Sequence, residues 1–499
     1  MTVSDGIDMT TWNTTLRGLA TIVTVDRRLA KPLYQQIYDA FRGRVIRGDL
    51  RAGQLVPSTR ELARELRVSR LPVLEAYAQL HAEGYFETRV GAGTFIAASL
   101  PGRADAHPPP PAGERRVSKL AAALPHYERP SWAASLGPFQ VGQPDLHSFP
   151  MDIWSKLTAR HARRVRVKGL QYGDPMGLPE LREVVAHYLR TARAVRCEPR
   201  QIMIVSGSQQ GLDLSTRVLL DAGASAWVEE PAYWLVHQVL KASGCRAVPV
   251  PVDDEGLDVA AGIRRKRKAR AAFVAPSHQY PLGVTMSATR RLQLLEWAQR
   301  EGAWIVEDDY DSEYRYESMP VASLQGLDAN ARSVYIGTFS KVMFPSLRLG
   351  YVVVPPDLVE RFAAMRQVMD LGPAHMTQAV MAEFIREGHF ARHIRRMRPI
   401  YAARRRALAA AIERELGGRA TIAGDAAGMH LAILLRDRYD DRAIAAEAAR
   451  RSLYLSPLSA AYAGDTPRSG FVLGFGNTRE NQIAGAVRQL AALLDGGTS

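Results

Sequence analysis

The chain has 499 residues, with 65 Lys or Arg against 51 Asp or Glu, which gives a formal charge of +14. Hydrophobic residues make up 46%, as in ordinary globular proteins, and the length predicts about two to four domains. The sequence has no run of about 18 apolar residues and no signal peptide, which argues against a membrane span and against secretion. Cys197 and Cys245 form no Cys/His cluster, which argues against a disulfide framework or a metal site. We therefore expect a cytoplasmic protein.

The N-terminal elements predict three helices followed by a β-hairpin. Ser58 is a good N-cap and Glu61 completes a capping box, which starts the second helix. A tight turn around Ser69 leads into the third helix, which Gly84 ends. The expected helices span Leu33–Ile46, Thr59–Leu66 and Leu71–Glu83, and the hairpin pairs Tyr85–Val90 with Thr94–Ala97.

Residues 101–137 predict a linker because proline, alanine, glycine and charged residues dominate them. The proline run at 108–111 is incompatible with a helix or a central strand and forms a semi-rigid spacer. A long surface loop within one domain is the alternative. We therefore expect a first domain over 1–100 and a second over 138–499.

After the linker, short apolar or β-branched runs alternate with helical segments. This alternation predicts an α/β domain with a largely parallel sheet. From about Ala374 to the end, alanine-rich helices mix with two strands and predict a smaller α+β subdomain. The expected strands are Ile202–Val205, Ala226–Glu229, Ala247–Val250, Ala271–Ala275, Trp304–Glu307, Val334–Gly337, Leu349–Val354, Met429–Leu435 and Gly470–Phe475.

Two short helices, a tight turn and a hairpin indicate a winged helix-turn-helix that binds DNA. Arg70 stands where the second helix of the pair enters the major groove, and its side chain is suited to guanine edges or phosphates. Arg60, Ser69, Arg89 and Thr94 are further candidates for contacts to double-stranded operator DNA. The basic composition agrees, although an arginine-rich solvated surface explains it equally well. Residues 21–100 hold 12 basic and 8 acidic residues, so charge alone does not locate the site.

The N-terminal sequence resembles the winged-helix domain of GntR-type regulators. The resemblance extends over about 65 residues, LYQQIYDAFRGRVIRGDLRAGQLVPSTRELARELRVSRLPVLEAYAQLHAEGYFETRVGAGTFIA. Pro72 departs from the threonine that such domains often carry. Proline is tolerated in the first turn of a helix, but a possible hydroxyl contact to DNA is lost.

The segment GTFSKVMFPSLRLGY predicts a cofactor lysine, Lys341, just after a strand. Its amine is suited to a Schiff base with an aldehyde cofactor, and Ser340 and Arg348 are suited to a phosphate. Taken alone, the Ser340-Lys341 pair would favour a surface lysine over a cofactor lysine, because most lysines are surface charges. Companion motifs follow other strands: SGSQQG at a helix start, EPAYW and EDDYD. Each motif has a structural alternative: SGSQQG could be an ordinary βα turn, EPAYW could hold a core tyrosine, and EDDYD could be a loop of solvated acids.

Together these motifs resemble fold-type I aminotransferases of class I and II, across roughly residues 138–499. The resemblance implies pyridoxal 5'-phosphate on Lys341, Asp308 at the pyridine nitrogen, Tyr310 at the ring hydroxyl and Tyr233 stacked on the ring. It also implies a homodimer in which Tyr172 reaches the phosphate of the partner subunit. The implied phosphate ligands within the same chain are Gly207, Ser208, Gln209, Ser340 and Arg348.

Two positions depart from the enzyme pattern. Where the enzymes carry Asn-Pro-x-Gly, this chain reads SHQYPLG, so His278 or Gln279 replaces the asparagine in our interpretation. The arginine that clamps a substrate carboxylate in the enzymes corresponds to Val472. Arg468 and Arg479 are near it in sequence, but their positions do not place either of them in the site.

The whole chain thus resembles the MocR/GabR-type transcription regulators. The resemblance implies a DNA-binding regulator whose aminotransferase-like domain senses an amine or the cofactor itself. Two alternatives stay open: a catalytic aminotransferase with an appended DNA-binding domain, and a regulator that has lost the cofactor. The helix-turn-helix argues against the first alternative, and the presence of Lys341, Asp308 and Arg348 argues against the second.

Overall fold

The chain divides into two units, Met1–Arg116 and Val117–Ser499. A computed structural model describes residues 23–98, 116–126, 136–165, 167–316, 322–424, 427–437, 439–464 and 467–496. Most of the predicted linker, residues 101–115 and 127–135, therefore lies outside the described residues. Between these two stretches the structure forms a short helix, Lys119–Ala122, which the Ser118 hydroxyl caps. The proline-rich sequence pattern around it does not predict this helix.

The first unit is a three-helix bundle with a small sheet. Phe41, Tyr77 and Phe86 meet edge to face in its core, and the Tyr77 hydroxyl donates to the Pro57 carbonyl at 2.8 Å. The Ser58 hydroxyl accepts from the Glu61 amide, which confirms the predicted N-cap, whereas the Glu61 side chain makes no reciprocal bond to the Ser58 amide, so the predicted capping box is only half formed. Its helices are Leu33–Arg47, Thr59–Glu65 and Arg70–Ala82, and its strands are β1 (Leu55–Val56), β2 (Phe86–Arg89) and β3 (Gly93–Ile96), in the order β1-β3-β2.

The second unit is built on an eight-stranded sheet in the order β4-β11-β10-β9-β8-β5-β6-β7. Strands β6, β5, β8, β9 and β10 are parallel to their neighbours in that series, whereas β11 runs antiparallel to both β10 and β4. The largely parallel sheet predicted from the sequence is confirmed. The strands are β4 (Ile202–Val205), β5 (Ser225–Glu230), β6 (Arg246–Asp253), β7 (Gly256–Leu257), β8 (Ala271–Val274), β9 (Trp304–Asp309), β10 (Ser333–Thr338) and β11 (Gly350–Val353).

A second sheet, in the order β12-β13-β15-β14, forms the predicted smaller subdomain. Its strands are β12 (Ala420–Ala423), β13 (His430–Leu435), β14 (Ser456–Pro457) and β15 (Gly470–Gly474). The longer helices of this unit are Met151–Arg164, Pro179–Ala192, Ser208–Leu219, Trp234–Ala242, Val259–Lys266, Ala288–Glu301, Val359–Asp370, His375–Arg386, His389–Leu416, Asp441–Arg450 and Glu480–Gly496. In the described part of the chain, no helix combines the length and apolar character needed to cross a membrane.

Candidate functional site

Four polar side chains follow the carboxyl ends of neighbouring parallel strands. Tyr233 follows β5, His278 follows β8, Asp308 lies at the end of β9 and Lys341 follows β10. Ile336 of β10 pairs with Asp308 of β9. The loop that carries Lys341 therefore begins just beyond the end of β9 at which Asp308 lies. Ligands of open α/β sheets bind at this edge.

Lys341 points into the second unit, and its Nζ donates to the Gly142 carbonyl at 3.1 Å. Burial lowers the pKa of Lys341, although the charges of Asp311 and Asp308 oppose the shift. A lysine with a lowered pKa is more often unprotonated and therefore nucleophilic. Gly142 has φ 75°, and a Cβ there would collide with Nζ, so this position requires glycine.

Asp308 carries a buried oxygen, Oδ1, that has no hydrogen-bond partner among the described residues. Burial, reinforced by the charge of Asp309, raises the pKa of Asp308 to about 7, while Lys341 opposes the shift. Such a carboxyl group is costly to ionise unless a cation or a strong donor faces it. A protonated pyridine nitrogen would supply that partner.

Several polar groups lie around the start of helix Ser208–Leu219. Gly207 occupies the N-cap with φ 92° and offers no side-chain cap, so the first backbone amides of the helix are free for an anion. Arg348 has φ 49°, and its Nη2 donates to the Ser206 carbonyl at 2.6 Å. Ser340 Oγ and Gln209 Oε1 are buried without partners among the described residues.

The aromatic side chains predicted from the sequence lie around this site. Tyr233 meets the ring of Tyr280 edge to face at 5.9 Å, and the Tyr310 hydroxyl lies 3.2 Å from His278 Nδ1. The side chain of Gln279 is engaged by two loops: its Nε2 donates to the carbonyls of Pro231, after β5, and of Tyr280, and its Oε1 accepts from Leu282 N. Sequence reasoning missed Tyr280, which takes the asparagine's place if Pro-x-Gly is aligned on Pro281 and Gly283.

The buried cluster of His278, Asp311 and His430 was also missed by sequence reasoning. One polar atom from each lies within 4.8 Å of the others. Asp311 accepts from His278 Nδ1 with both oxygens, at 2.9 and 3.1 Å. Gly428 makes room for this pair, because a Cβ there would collide with both side chains. His430 begins a strand of the other sheet, so no local sequence signal connects it to His278.

Three further positions bear on ligand and partner contacts. Tyr172 is 88% exposed. Val472 is 1% exposed and packs in an apolar cluster with Leu282 and Leu458. Arg468 and Arg479 are both exposed.

In the first unit, the helix Arg70–Ala82 presents an exposed N-terminal half. Arg70 Nε donates to Thr59 Oγ1 at 3.1 Å, and Ser69 stands at the N-cap without making a side-chain cap. Leu71 and Leu74 are 62% and 41% exposed; sequence reasoning treated neither as functional, although their helical spacing on the face away from Val73 and Tyr77 was visible.

The remaining DNA candidates lie on the surface or in the hairpin. Arg60 is exposed in the first turn of helix Thr59–Glu65. Arg89 pairs with Glu87 at 2.7 Å, and its guanidinium lies over the Phe95 ring at 4.7 Å. Thr94 is half-buried and pairs with Val56 and Thr88 across the sheet.

Comparisons with known proteins cover both units. Residues 33–96 match the bacterial regulatory proteins of the gntR family, and residues 139–472 match aminotransferase class I and II. The chain is 38% identical over 465 residues to the probable rhizopine catabolism regulatory protein MocR of Rhizobium meliloti, covering 91% of this chain and 92% of that protein. It is 31% identical to the HTH-type pyridoxine biosynthesis transcriptional regulator PdxR of Corynebacterium glutamicum, covering 91% and 94%. The kynurenine aminotransferase of Pyrococcus horikoshii, solved in complex with PMP, has a TM-score of 0.68 and 28% identity, covering 77% of this chain and 96% of that one.

Proposed function

The chain belongs to the gntR-family transcription regulators that carry a class I and II aminotransferase domain, and from this we propose that it binds operator DNA as a homodimer and changes its DNA affinity when the second unit binds a small molecule. The family depends on pyridoxal 5'-phosphate. The proposed effector is an amine or the cofactor itself. Binding to the operator would place this action in the cytoplasm.

The observation that carries the cofactor assignment is the buried, unpartnered Oδ1 of Asp308 beside Lys341. When bound, pyridoxal phosphate supplies an aldehyde that amines attack and an electron-withdrawing ring. Lys341 would hold the aldehyde carbon and Asp308 the ring nitrogen. Tyr233 would stack on the ring, and Tyr310 with His278 would face the ring hydroxyl. The phosphate would take Gly207, Ser208, Gln209, Ser340 and Arg348, with Tyr172 contributed by the partner subunit.

For DNA, helix Arg70–Ala82 is the proposed reading element. No acidic residue lies in the first turn of this helix, so no carboxylate there repels the phosphates of the DNA. Arg70 is suited to a guanine edge, and the exposed Leu71 and Leu74 are suited to thymine methyl groups. Arg60, Ser69, Arg89 and Thr94 would contact the backbone, which fixes the position of the helix in the groove.

Sensing is favoured over catalysis by the side chain of Val472. An apolar side chain packed against Leu282 and Leu458 offers no donor to a substrate carboxylate, and a substrate held loosely reacts slowly. We therefore expect common α-amino acids to turn over slowly, if at all. The similarity to a pyridoxine biosynthesis regulator supports the cofactor itself as the alternative effector.

Titration of the apo-protein with pyridoxal phosphate, followed by operator binding at constant salt, tests the proposal. A changed operator affinity on cofactor binding alone would identify the cofactor as effector. An affinity that changes only when an amine is added to the holo-protein would identify an amine. Operator affinity that responds to neither, together with brisk transamination of an ordinary α-amino acid, would instead support an aminotransferase.

A further inference from the structure

The basic character of the chain is not explained by its first unit. Residues 21–100, with 12 basic and 8 acidic residues, account for only +4 of the formal charge of +14. In the second unit, six of the seven residues from 264 to 270 are Lys or Arg, and all six are exposed. This segment ends helix Val259–Lys266 and leads into β8. The proposed cofactor site uses none of these residues.

The same segment lies at the amino edge of the large sheet. Arg270 directly precedes β8, and its amide donates at 2.8 Å to the carbonyl of Ser225, the first residue of β5. Ser225 in turn pairs with Arg246, the first residue of β6. Because neighbouring strands lie about 4.8 Å apart, the backbones of Arg246 and Arg270 are about 10 Å apart. Both stand at the opposite edge of the sheet from Asp308 and Lys341.

Nearby carboxylates balance only part of this charge. Arg267 pairs with Glu301 at 2.9 Å, and Arg264 lies 3.7 Å from Asp258. Basic residues in the last turn of a helix also stabilise its C-terminus, which accounts for residues 264–266 but not for those beyond the helix. Four cations form no ion pair with any residue that the structure describes: Arg246, Lys266, Lys268 and Arg270.

Two buried tryptophans hold the basic segment in place. Trp227 and Trp297 stack with their ring centroids 3.7 Å apart. Their Nε1 atoms donate to the carbonyls of Lys266 at 2.9 Å and of Arg267 at 3.1 Å. A backbone that is fixed in advance loses less entropy when it binds a ligand. Because both tryptophans are fully buried, their rings are not available to stack on the bases of a single strand, which favours the phosphates of a duplex as the ligand.

We propose that Arg246, Lys266, Lys268 and Arg270 form a second DNA-contact surface, the basic edge, which binds phosphates of duplex DNA outside the segment that the first unit holds. This inference rests on the proposed DNA binding by the first unit. Contacts from lysine and arginine to phosphates add affinity without reading the base sequence. Two linked contacts to one DNA molecule also bind more tightly than either contact alone. The basic edge thereby lengthens the stretch of DNA that the regulator occupies.

The salt dependence of binding to a duplex of arbitrary sequence tests this with the full-length holo-protein. We would measure fluorescence anisotropy with a labelled duplex of about 60 base pairs, from about 0.05 to 0.3 M salt, where phosphate contacts dominate non-specific affinity. We expect Lys266→Gln/Lys268→Gln/Arg270→Gln to bind at least about tenfold more weakly at about 0.1 M salt. The slope of log affinity against log salt should become shallower by at least about 2, because each lost phosphate contact removes about 0.9.

A matched variant removes the same charge from elsewhere on the second unit. Arg386→Gln/Arg406→Gln/Arg488→Gln alters exposed positions on three other helices, and it should change the slope by less than about 1. Both variants should keep the visible absorbance band, since neither alters the cofactor edge of the sheet. An unchanged slope in the basic-edge variant would overturn the inference, leave DNA binding by the first unit intact and assign the basic edge to solvent or to an acidic protein. Equal losses in the two variants would also overturn it, because net charge alone would then explain them. A wild-type protein that binds no DNA would overturn both proposals.

Discussion

Replacing Asp308 with asparagine should stabilise the apo-protein while weakening cofactor binding. Without the cofactor, the buried carboxyl group has an unpartnered oxygen, and its pKa is raised from 3.8 to about 7. A carboxyl pKa that is higher in the folded state gives stability that is complete below about pH 4 and is lost as the pH rises through about 7. The loss corresponds to about 4 kcal/mol at most. Asparagine does not ionise and avoids this cost, although its amide still loses hydration on burial.

Urea unfolding of the two apo-proteins at pH 5 and pH 8 measures the effect. At pH 8 we expect apo Asp308→Asn to exceed the wild type by about 2–4 kcal/mol, with a clearly smaller difference at pH 5. Titration with pyridoxal phosphate should show the opposite order, since asparagine cannot neutralise a protonated ring nitrogen. Asp254→Asn, at an exposed carboxylate, should change neither. An apo variant that is less stable than the wild type at pH 8 would refute the reasoning.

Three further predictions concern single contacts. Lys341→Ala should lose the visible absorbance band, because no imine then conjugates with the ring; Lys241→Ala should keep it, and an unchanged band in Lys341→Ala would mean that another lysine holds the cofactor. Arg70→Ala should weaken specific operator binding by about 1–3 kcal/mol in gel-shift titrations while the absorbance stays the same, and an unchanged footprint would remove Arg70 from the interface. Replacing operator thymines with uracil should weaken wild-type binding about fourfold for each methyl contacted, but should not affect Leu71→Ala/Leu74→Ala; equal losses in both proteins would show that the leucines do not read the methyl groups.

The sequence predicted the strands of the large sheet well, because strands buried on both faces form continuous apolar runs. Ile202–Val205 was predicted with its observed bounds, whereas β9 extends to Asp309, beyond the apolar run that marked it. The two-residue strands β1, β7 and β14 were missed because they carry too few residues for a periodic pattern. Helix Lys119–Ala122 was missed for a similar reason, since its proline-rich surroundings dominated the interpretation.

In the candidate site, the residues that follow strands of the large sheet were predictable from the sequence. The residues contributed by distant segments of the chain were not. Lys341 and Asp308 stand next to apolar runs that mark strand ends. Gly142 contacts Lys341 from a segment nearly 200 positions earlier in the chain. His430 comes from a different sheet. Their roles depend on tertiary contacts, and neither residue type carries a local motif.

The contact between the first and last segments of the second unit has a consequence for how the chain folds during synthesis. Phe139 N donates to Thr478 Oγ1, 339 residues later in the chain, and Phe139 also forms a β-bridge to Gly474, the last residue of β15. The second unit therefore cannot close until the chain has left the ribosome to beyond Thr478. The last strand described in the first unit ends at Ile96, and the longest strand pairing in that unit joins Leu55 to Phe95, 40 positions apart. Because domains generally fold in order of synthesis, we expect a nascent or prematurely terminated chain to carry a folded first unit before it carries the second unit, in which we propose that the ligand binds.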